Sequence, residues 1–184
     1  YTVFEKAQKM DYALWGQSSN LKGLNFKIED APTFVPMTQN APTYVKLNGH
    51  DYEVYQNSYK EFEEYMKSIF TNDFLSQDSI EKKFANYNGK LAFCNDYDLA
   101  QIPYFTGYVG EYYPDDFCSV RYYLKNKTEA QVNFVMIAYY NPNETYEVHD
   151  EYSYDDMNKV EYEMQLVKVG YVWRVNKYHS PELG

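Results

Sequence analysis

The sequence predicts an α+β domain in which N-terminal helices pack on a curved antiparallel sheet. Three observations predict it: apolar residues at helical spacing near the start of the chain, two Asn-Gly pairs between short apolar runs, and long alternating apolar runs in the last third. The chain has 184 residues. That length is typical of one domain, so residues 1–184 are assigned to a single unit.

Two helices are predicted from their N-terminal caps and their apolar faces. Thr2 and Glu5 form a capping box, in which a hydroxyl and a carboxylate each accept a hydrogen bond from a free backbone N–H. Ser58 and Glu61 repeat the pattern before the second helix. Apolar residues then follow at helical spacing, as Phe4, Ala7, Met10 and Leu14 in the first helix and as Phe62, Tyr65, Met66, Ile69 and Phe70 in the second. A third, shorter helix is predicted over residues 76–84.

The strands are predicted from turn signals and from apolar alternation. Asn48-Gly49 lies between two short apolar runs and predicts a hairpin, because both residues accept the positive φ angles of a type I′ turn. Asn88-Gly89 predicts another turn, followed by a strand at Lys90–Cys94. Four long strands are predicted at 119–124, 132–139, 160–169 and 171–175. We expect these four to form an antiparallel meander with one face packed on the helices.

The charge and hydropathy of the chain exclude several classes of partner. It carries 17 basic and 27 acidic residues, for a net charge of −10, and only two arginines. Binding to a phosphate backbone relies on lysine and arginine, so nucleic acid is not expected, and a basic partner or a cation is favoured. No apolar run approaches the roughly 20 residues of a membrane span. The two cysteines and the high Tyr and Asn content favour an extracellular or cell-surface protein.

No arrangement of residues in the sequence indicates catalysis. His50, His149 and His179 lack metal-ligand spacing, and there is no G-x-S-x-G nucleophile motif. We therefore expect no enzyme activity, no metal and no cofactor. Cys94 and Cys118 are candidates for a disulfide that would close a loop of about 25 residues. The sequence leaves the alternative, two buried free thiols, equally open.

A long segment between residues 95 and 117 is rich in aromatic, glycine and acidic residues. Tyrosine is common at recognition surfaces because it offers a rigid ring and a hydrogen bond. The alternative is that these rings complete the core at the open end of the sheet. The predicted partner-binding residues are Tyr104, Tyr108, Tyr112, Tyr113, Asp115 and Asp116.

Four short segments resemble the nuclear-transport-factor-two-like branch of the cystatin-like superfold. They are 47–54 (LNGHDYEV), 62–71 (FEEYMKSIFT), 88–91 (NGKL) and 169–175 (VGYVWRV). The order of elements resembles exported domains of Gram-positive bacteria, and among these the secreted inhibitors of cell-wall D,L-endopeptidases (autolysins). The resemblance implies the fold and a place in the cell envelope, but it marks no functional residue, and this superfold carries many functions.

Three hypotheses about function remain from the sequence. The first is a non-catalytic exported binding protein of the cell envelope that inhibits a cell-wall hydrolase by steric occlusion. The alternative is a small-molecule-binding or enzymatic domain that uses a concave pocket in the sheet. That alternative predicts polar residues facing the pocket, and a space filled by Tyr and Phe rings would count against it. The third is a structural or spacing role in a larger surface protein.

Overall fold

The computed structural model describes residues 2–15, 27–38, 42–77, 81–94, 117–141 and 153–179, and these form an α+β fold. The described helices are α1 (Thr2–Trp15), α2 (Tyr59–Ile69) and α3 (Asn72–Leu75), with a 3-10 turn at Ile28–Asp30. The strands are β1 (Tyr44–Leu47), β2 (His50–Ser58), β3 (Phe84–Tyr87), β4 (Lys90–Cys94), β5 (Phe117–Lys127), β6 (Gln131–Tyr140), β7 (Asn158–Val169) and β8 (Val172–Lys177). They form two four-stranded antiparallel sheets.

The first sheet has the strand order β1-β2-β4-β3, and both predicted Asn-Gly turns are confirmed. Asn48 and Gly49 have φ angles of 51° and 88°, and Asn88 and Gly89 have 52° and 84°. These left-handed conformations suit the right-handed twist of a hairpin. The described segment 27–38 precedes β1, and part of it runs beside β2. Pro36 of this segment forms an isolated bridge with Tyr55.

The second sheet is the predicted meander, with the strand order β5-β6-β7-β8. Alternation along its strands separates two faces, because successive side chains of a strand point to opposite sides. On β6 and β7, one face carries the buried residues Met136, Ala138, Tyr162 and Met164. This face packs on the helices in one hydrophobic core, which confirms the predicted arrangement.

Helix α2 contacts both sheets. It begins at the predicted cap, where the Ser58 hydroxyl accepts the N–H of Glu61 at 3.3 Å. Its buried residues are Phe62, Met66 and Ile69. Phe62 packs on Phe93 of β4, at 6.1 Å between ring centroids, while the end of α2 is joined to β8 by a bridge between Phe70 and Val175. One apolar face therefore supports both sheets.

The helix predicted over residues 76–84 is shown only in part, because residues 78–80 lie outside the described residues. The N–H of Glu81 donates to the carbonyl of Gln77 at 2.9 Å, which is an α-helical bond within the predicted range. The short helix α3 lies at Asn72–Leu75, and Phe84 is the first residue of β3, a strand that was not predicted. The Thr71 hydroxyl fixes the start of α3, because it accepts the N–H of Phe74 at 3.1 Å and donates to Asn176 Oδ1 at 2.7 Å. The second bond ties the cap to β8, which is a contact between residues distant in sequence.

Candidate protein-docking surface at strand β5

In the described part of the chain, strand β5 lies at one end of the second sheet and β8 lies at the other. Within the described residues β5 pairs with β6 alone, in an antiparallel register that is continuous from Ser119 to Leu124. Residues 121–127 are all exposed, and Leu124 exposes 65% of its surface. A long exposed edge strand offers unpaired backbone groups to another chain.

On the side of β5 that faces α1, apolar side chains border an open cleft. The ring of Tyr122 meets Phe4 of α1 edge-on, with 5.5 Å between centroids, and Phe4 meets Phe134 in the same way at 5.3 Å. Leu124 lies opposite Phe134 in the sheet. The cleft has a volume of about 320 Å³. Its described lining residues are Phe4, Glu5, Gln8, Tyr122, Leu124, Phe134 and Leu166.

On the other side of β5, Arg121 and three tyrosines form a cluster. The Arg121 guanidinium carbon lies 3.6 Å from the centre of the Tyr154 ring. The hydroxyl oxygens of Tyr123 and Tyr139 are 3.3 Å apart, and the rings of Tyr139 and Tyr154 meet edge-on at 4.7 Å. This arrangement, here called the Arg121 cluster, places a cation against aromatic faces, a favourable contact.

Hydrogen bonds within the Arg121 cluster shift the pKa values of its side chains. Hydrogen bonds to Tyr123 and Tyr154 raise the pKa of Arg121. The bond between the two hydroxyls lowers the pKa of Tyr123, with Arg121 adding to the effect, and it raises the pKa of Tyr139. The cluster therefore offers a fixed positive charge and exposed phenol groups to a partner.

The charge of β5 is opposite to that of the whole chain. The strand carries Arg121, Lys125 and Lys127 and no acidic residue, whereas the chain has a net charge of −10. Part of the charge is balanced by Glu163 of β7, whose pKa is lowered by its hydrogen bond to Lys177 and, more weakly, by Lys125. The strand is therefore a local basic strip on an acidic protein.

A row of amide side chains crosses the sheet on the same face as the Arg121 cluster. Asn133 of β6 donates to Asn126 of β5 at 2.7 Å and accepts from Gln165 of β7 at 2.8 Å. Gln165 in turn accepts from Asn176 of β8, which accepts from the Thr71 hydroxyl. These bonds join all four strands to the start of α3.

No protein-family model matches this chain, and no curated protein matches it. The helices in the described part of the chain lack the combination of length and apolarity that crossing a membrane requires. Among the described residues, no group of three or more histidine, cysteine and acidic side chains is placed to hold a metal ion.

The space between the helices and the second sheet is filled by aromatic and methionine side chains. Phe70 and Phe74 stack at 4.6 Å, and Tyr178 donates to Asp11 at 3.1 Å. Burial, followed by the charge of Asp11, raises the pKa of Tyr178 well above its ordinary value. This hydrogen bond joins α1 to the residue that follows β8. The polar atoms of Asp11 and Tyr178 therefore help to hold the helix on the sheet.

Lys83 is another buried ionisable residue, and it directly precedes β3 of the first sheet. Its ammonium group donates to the backbone carbonyl of Cys94 at 2.8 Å. Burial lowers the pKa of Lys83 to about 8. A lysine with this pKa is a nucleophile in some enzymes, but this side chain is only 4% exposed. The contact holds the residue before β3 against the end of β4.

The site residues predicted from the sequence lie outside the described residues. This applies to Tyr104, Tyr108, Tyr112, Tyr113, Asp115 and Asp116. Their role in partner binding therefore stays a prediction, although residue 116 directly precedes β5. Cys94 is buried at the end of β4, whereas the side chain of Cys118 is outside the described part, so the disulfide also stays a prediction.

Sequence reasoning identified β5 as a strand but missed it as a surface. A usable signal was present in the run of residues 119–127, SVRYYLKNK. Large side chains stand at three consecutive positions, Tyr122, Tyr123 and Leu124, and so occupy both faces of the strand. The same run carries three basic residues and no acidic one. A strand with apolar and charged residues on both faces is typical of an exposed edge.

Proposed function

We propose that this chain is a non-catalytic protein-binding domain, exported to the bacterial cell envelope, that inhibits a cell-wall hydrolase by steric occlusion. The observation that carries the proposal is the exposed surface of β5, with its apolar cleft on one side and the Arg121 cluster on the other. We further propose that the fold is of the nuclear-transport-factor-two-like branch of the cystatin-like superfold, as the four sequence segments suggest.

The composition of the β5 surface supports a protein partner. Interfaces are enriched in tyrosine, other aromatic residues and arginine, and their strongest contacts fill desolvated pockets. Tyr122, Tyr123 and Arg121 supply these residue types on one strand. The cleft of about 320 Å³ beside Phe4 offers an apolar recess to side chains of a partner. Steric occlusion needs nothing more, because an inhibitor of this kind only covers the substrate groove.

The packing of the interior disfavours the alternative, an enzyme or small-molecule binder with a pocket in the sheet. That alternative requires polar groups facing an open space between helices and sheet. In the described residues this space holds the stacked pair of Phe70 and Phe74 together with Met136 and Met164. The buried Asp11 and Thr71 make hydrogen bonds that fix helices to β8 and its end.

The choice of a cell-wall hydrolase rests on the resemblance and on the distribution of charge. The acidic pair Asp115 and Asp116 immediately precedes β5, and the strand itself is basic. A partner that meets both would carry the opposite charges in the same order, and such complementarity fixes orientation and speeds association.

A turbidity assay tests the proposal. Purified peptidoglycan is cleared by a D,L-endopeptidase with increasing amounts of this protein. We expect clearing to slow, to reach its minimum near a one-to-one ratio, and to recover fully on dilution, because no covalent bond forms. Unchanged clearing with several such hydrolases would contradict the proposed inhibition.

A further inference from the structure

The described part of the second sheet has two edge strands, β5 and β8. Strand β5 has the longer unbroken register with its neighbour, and it borders the cleft beside Phe4. Its register with β6 is unbroken over six residues, from Ser119 to Leu124, and shifts between Leu124 and Asn126. Six residues of strand span roughly 20 Å. Along an edge strand, alternate backbone N–H and C=O groups point away from the sheet and are available to another strand.

We propose that β5 binds an extended segment of its protein partner by strand addition. The segment would place apolar side chains on the α1 side and carboxylates on the Arg121 side. Strand addition takes affinity from main-chain hydrogen bonds and specificity from alternate side chains, so the two faces of β5 define the sequence pattern of the segment. The inference rests on the proposed function, since it specifies the partner segment for the same surface.

The face of β5 on the α1 side determines where the partner segment should carry apolar side chains. Tyr122 and Leu124 are 42% and 65% exposed, and both border the cleft of about 320 Å³ beside Phe4. A strand added to β5 would place every second side chain over this cleft, at the distance of a cross-strand neighbour. Valine, isoleucine or leucine at those positions would bury apolar surface that the free protein exposes to water.

The opposite face of β5, which carries the Arg121 cluster, determines where the partner segment should carry acidic side chains. Arg121 and Tyr123 point there and lie next to the position of an added strand. The guanidinium stays charged, and hydrogen bonds between arginine and a carboxylate are among the stronger ones in proteins. Aspartate or glutamate at the intervening positions would therefore meet a cation and a phenol hydroxyl.

The same charges disfavour a second copy of this chain as the occupant. Two β5 strands pairing with each other would bring together three cations from each copy and no anion. Like charges opposite one another destabilise a strand pair. Basic residues and a bulge are also the devices by which edge strands avoid self-association. These features disfavour pairing of β5 with a second copy of itself, but they allow pairing with an acidic segment.

A synthetic peptide tests the inference on the full chain. The probe is a fluorescent octapeptide of alternating valine and glutamate, used at a concentration where light scattering shows no self-association, with binding followed by anisotropy. We expect saturable binding. A peptide of alternating valine and lysine should bind at least about tenfold more weakly, because its cations face Arg121.

Two N-methylated peptides separate strand addition from simple contact of side chains. One is methylated on the valine nitrogens and the other on the glutamate nitrogens. Since an added strand pairs through every second N–H, one of the two should lose about tenfold or more in affinity while the other keeps most of it. Equal affinity of both with the parent peptide would overturn the inference.

Arg121→Glu should reverse the preference, so that the valine–lysine peptide binds more tightly than the valine–glutamate peptide. Lys60→Glu, which makes the same charge change on the exposed side of α2, should leave both affinities unchanged.

Absence of saturable binding by the valine–glutamate peptide would overturn the inference, as would a dimer of the free protein that is lost in Leu124→Asp. Peptide binding without inhibition of any hydrolase would reject only the proposed hydrolase, and inhibition without peptide binding would reject only strand addition.

Discussion

The hydroxyl of Tyr178 donates a hydrogen bond to Oδ2 of Asp11 at 3.1 Å and so joins the residue after β8 to the middle of α1. Both side chains are buried, at 4% and 8% exposure. The two residues are 167 positions apart, so this bond helps determine where the first helix lies on the sheet. That position in turn determines the width of the cleft between α1 and β5.

Tyr178→Phe should destabilise the fold by about 1–3 kcal/mol, because it removes a hydrogen bond from a buried carboxylate without filling new space. Urea unfolding followed by circular dichroism measures the change. Tyr171→Phe is the matched control, since Tyr171 is 97% exposed in the β7–β8 turn. It should leave the free energy of unfolding unchanged, and equal losses in the two variants would contradict the role of the Asp11 contact.

The raised pKa of Tyr178 also predicts a loss of stability at alkaline pH. The unfolded chain releases this proton near pH 10, whereas the folded chain keeps it to a higher pH. Above about pH 10 the folded state therefore binds more protons than the unfolded state, and the free energy of unfolding falls as pH rises. Comparison of wild type with Tyr178→Phe between about pH 9 and 11 should show a steeper fall for wild type.

Lys83 should have the opposite dependence on pH. Burial lowers its pKa from 10.5 to about 8, so between these values the unfolded chain binds the additional proton. The free energy of unfolding therefore gains a contribution that rises with pH from about 8. Lys83→Met lacks this contribution. The difference in stability, wild type minus variant, should increase between about pH 7.5 and 9.5, and a constant difference would contradict the lowered pKa.

The amide row should act as one unit. Asn133 occupies its centre, where it accepts from Gln131 and Gln165 and donates to Asn126. Asn133→Leu should cost about 1–3 kcal/mol because three partners lose a bond together. Gln165→Leu should cost a similar amount, and the double variant should cost less than the sum by at least about 0.5 kcal/mol. Additive losses would show that the row is a set of independent contacts.

The parts of the fold that the sequence predicted correctly depend on neighbouring residues. Ser58 caps α2 through Glu61, three positions away, and Asn48-Gly49 forms its turn within a hairpin. Helix α3 was not predicted, because its start depends on a distant contact: the cap residue Thr71 is held by Asn176, which lies 105 positions along the chain. Local patterns cannot show that bond.

The candidate docking surface could be predicted only in part for the same reason. Alternation identified β5 as a strand, and its residues are plain in the sequence. Its place at the edge depends on the order of four strands, which is set by pairing between residues as far apart as Gln131 and Val167, 36 positions along the chain. The cleft additionally requires α1 to cover Phe134 while it leaves Leu124 exposed, which only the packing of the whole domain decides.

Leu124→Asp should abolish the proposed inhibition while the fold persists. Because Leu124 is 65% exposed, its replacement should change the free energy of unfolding by no more than about 0.5 kcal/mol. In a complex, however, the carboxylate would be buried against Phe4 and Tyr122, where no cation of the described cleft residues could balance it. We expect the concentration for half-maximal inhibition in the turbidity assay to rise by about tenfold or more.

The control is Val169→Asp, which introduces the same charge at the far end of β7. Val169 is similarly exposed, at 56%, and this variant should inhibit like wild type. If both variants inhibit like wild type, β5 is not the docking surface, and the segment that contains Tyr112 and Asp115 becomes the better place to look for it.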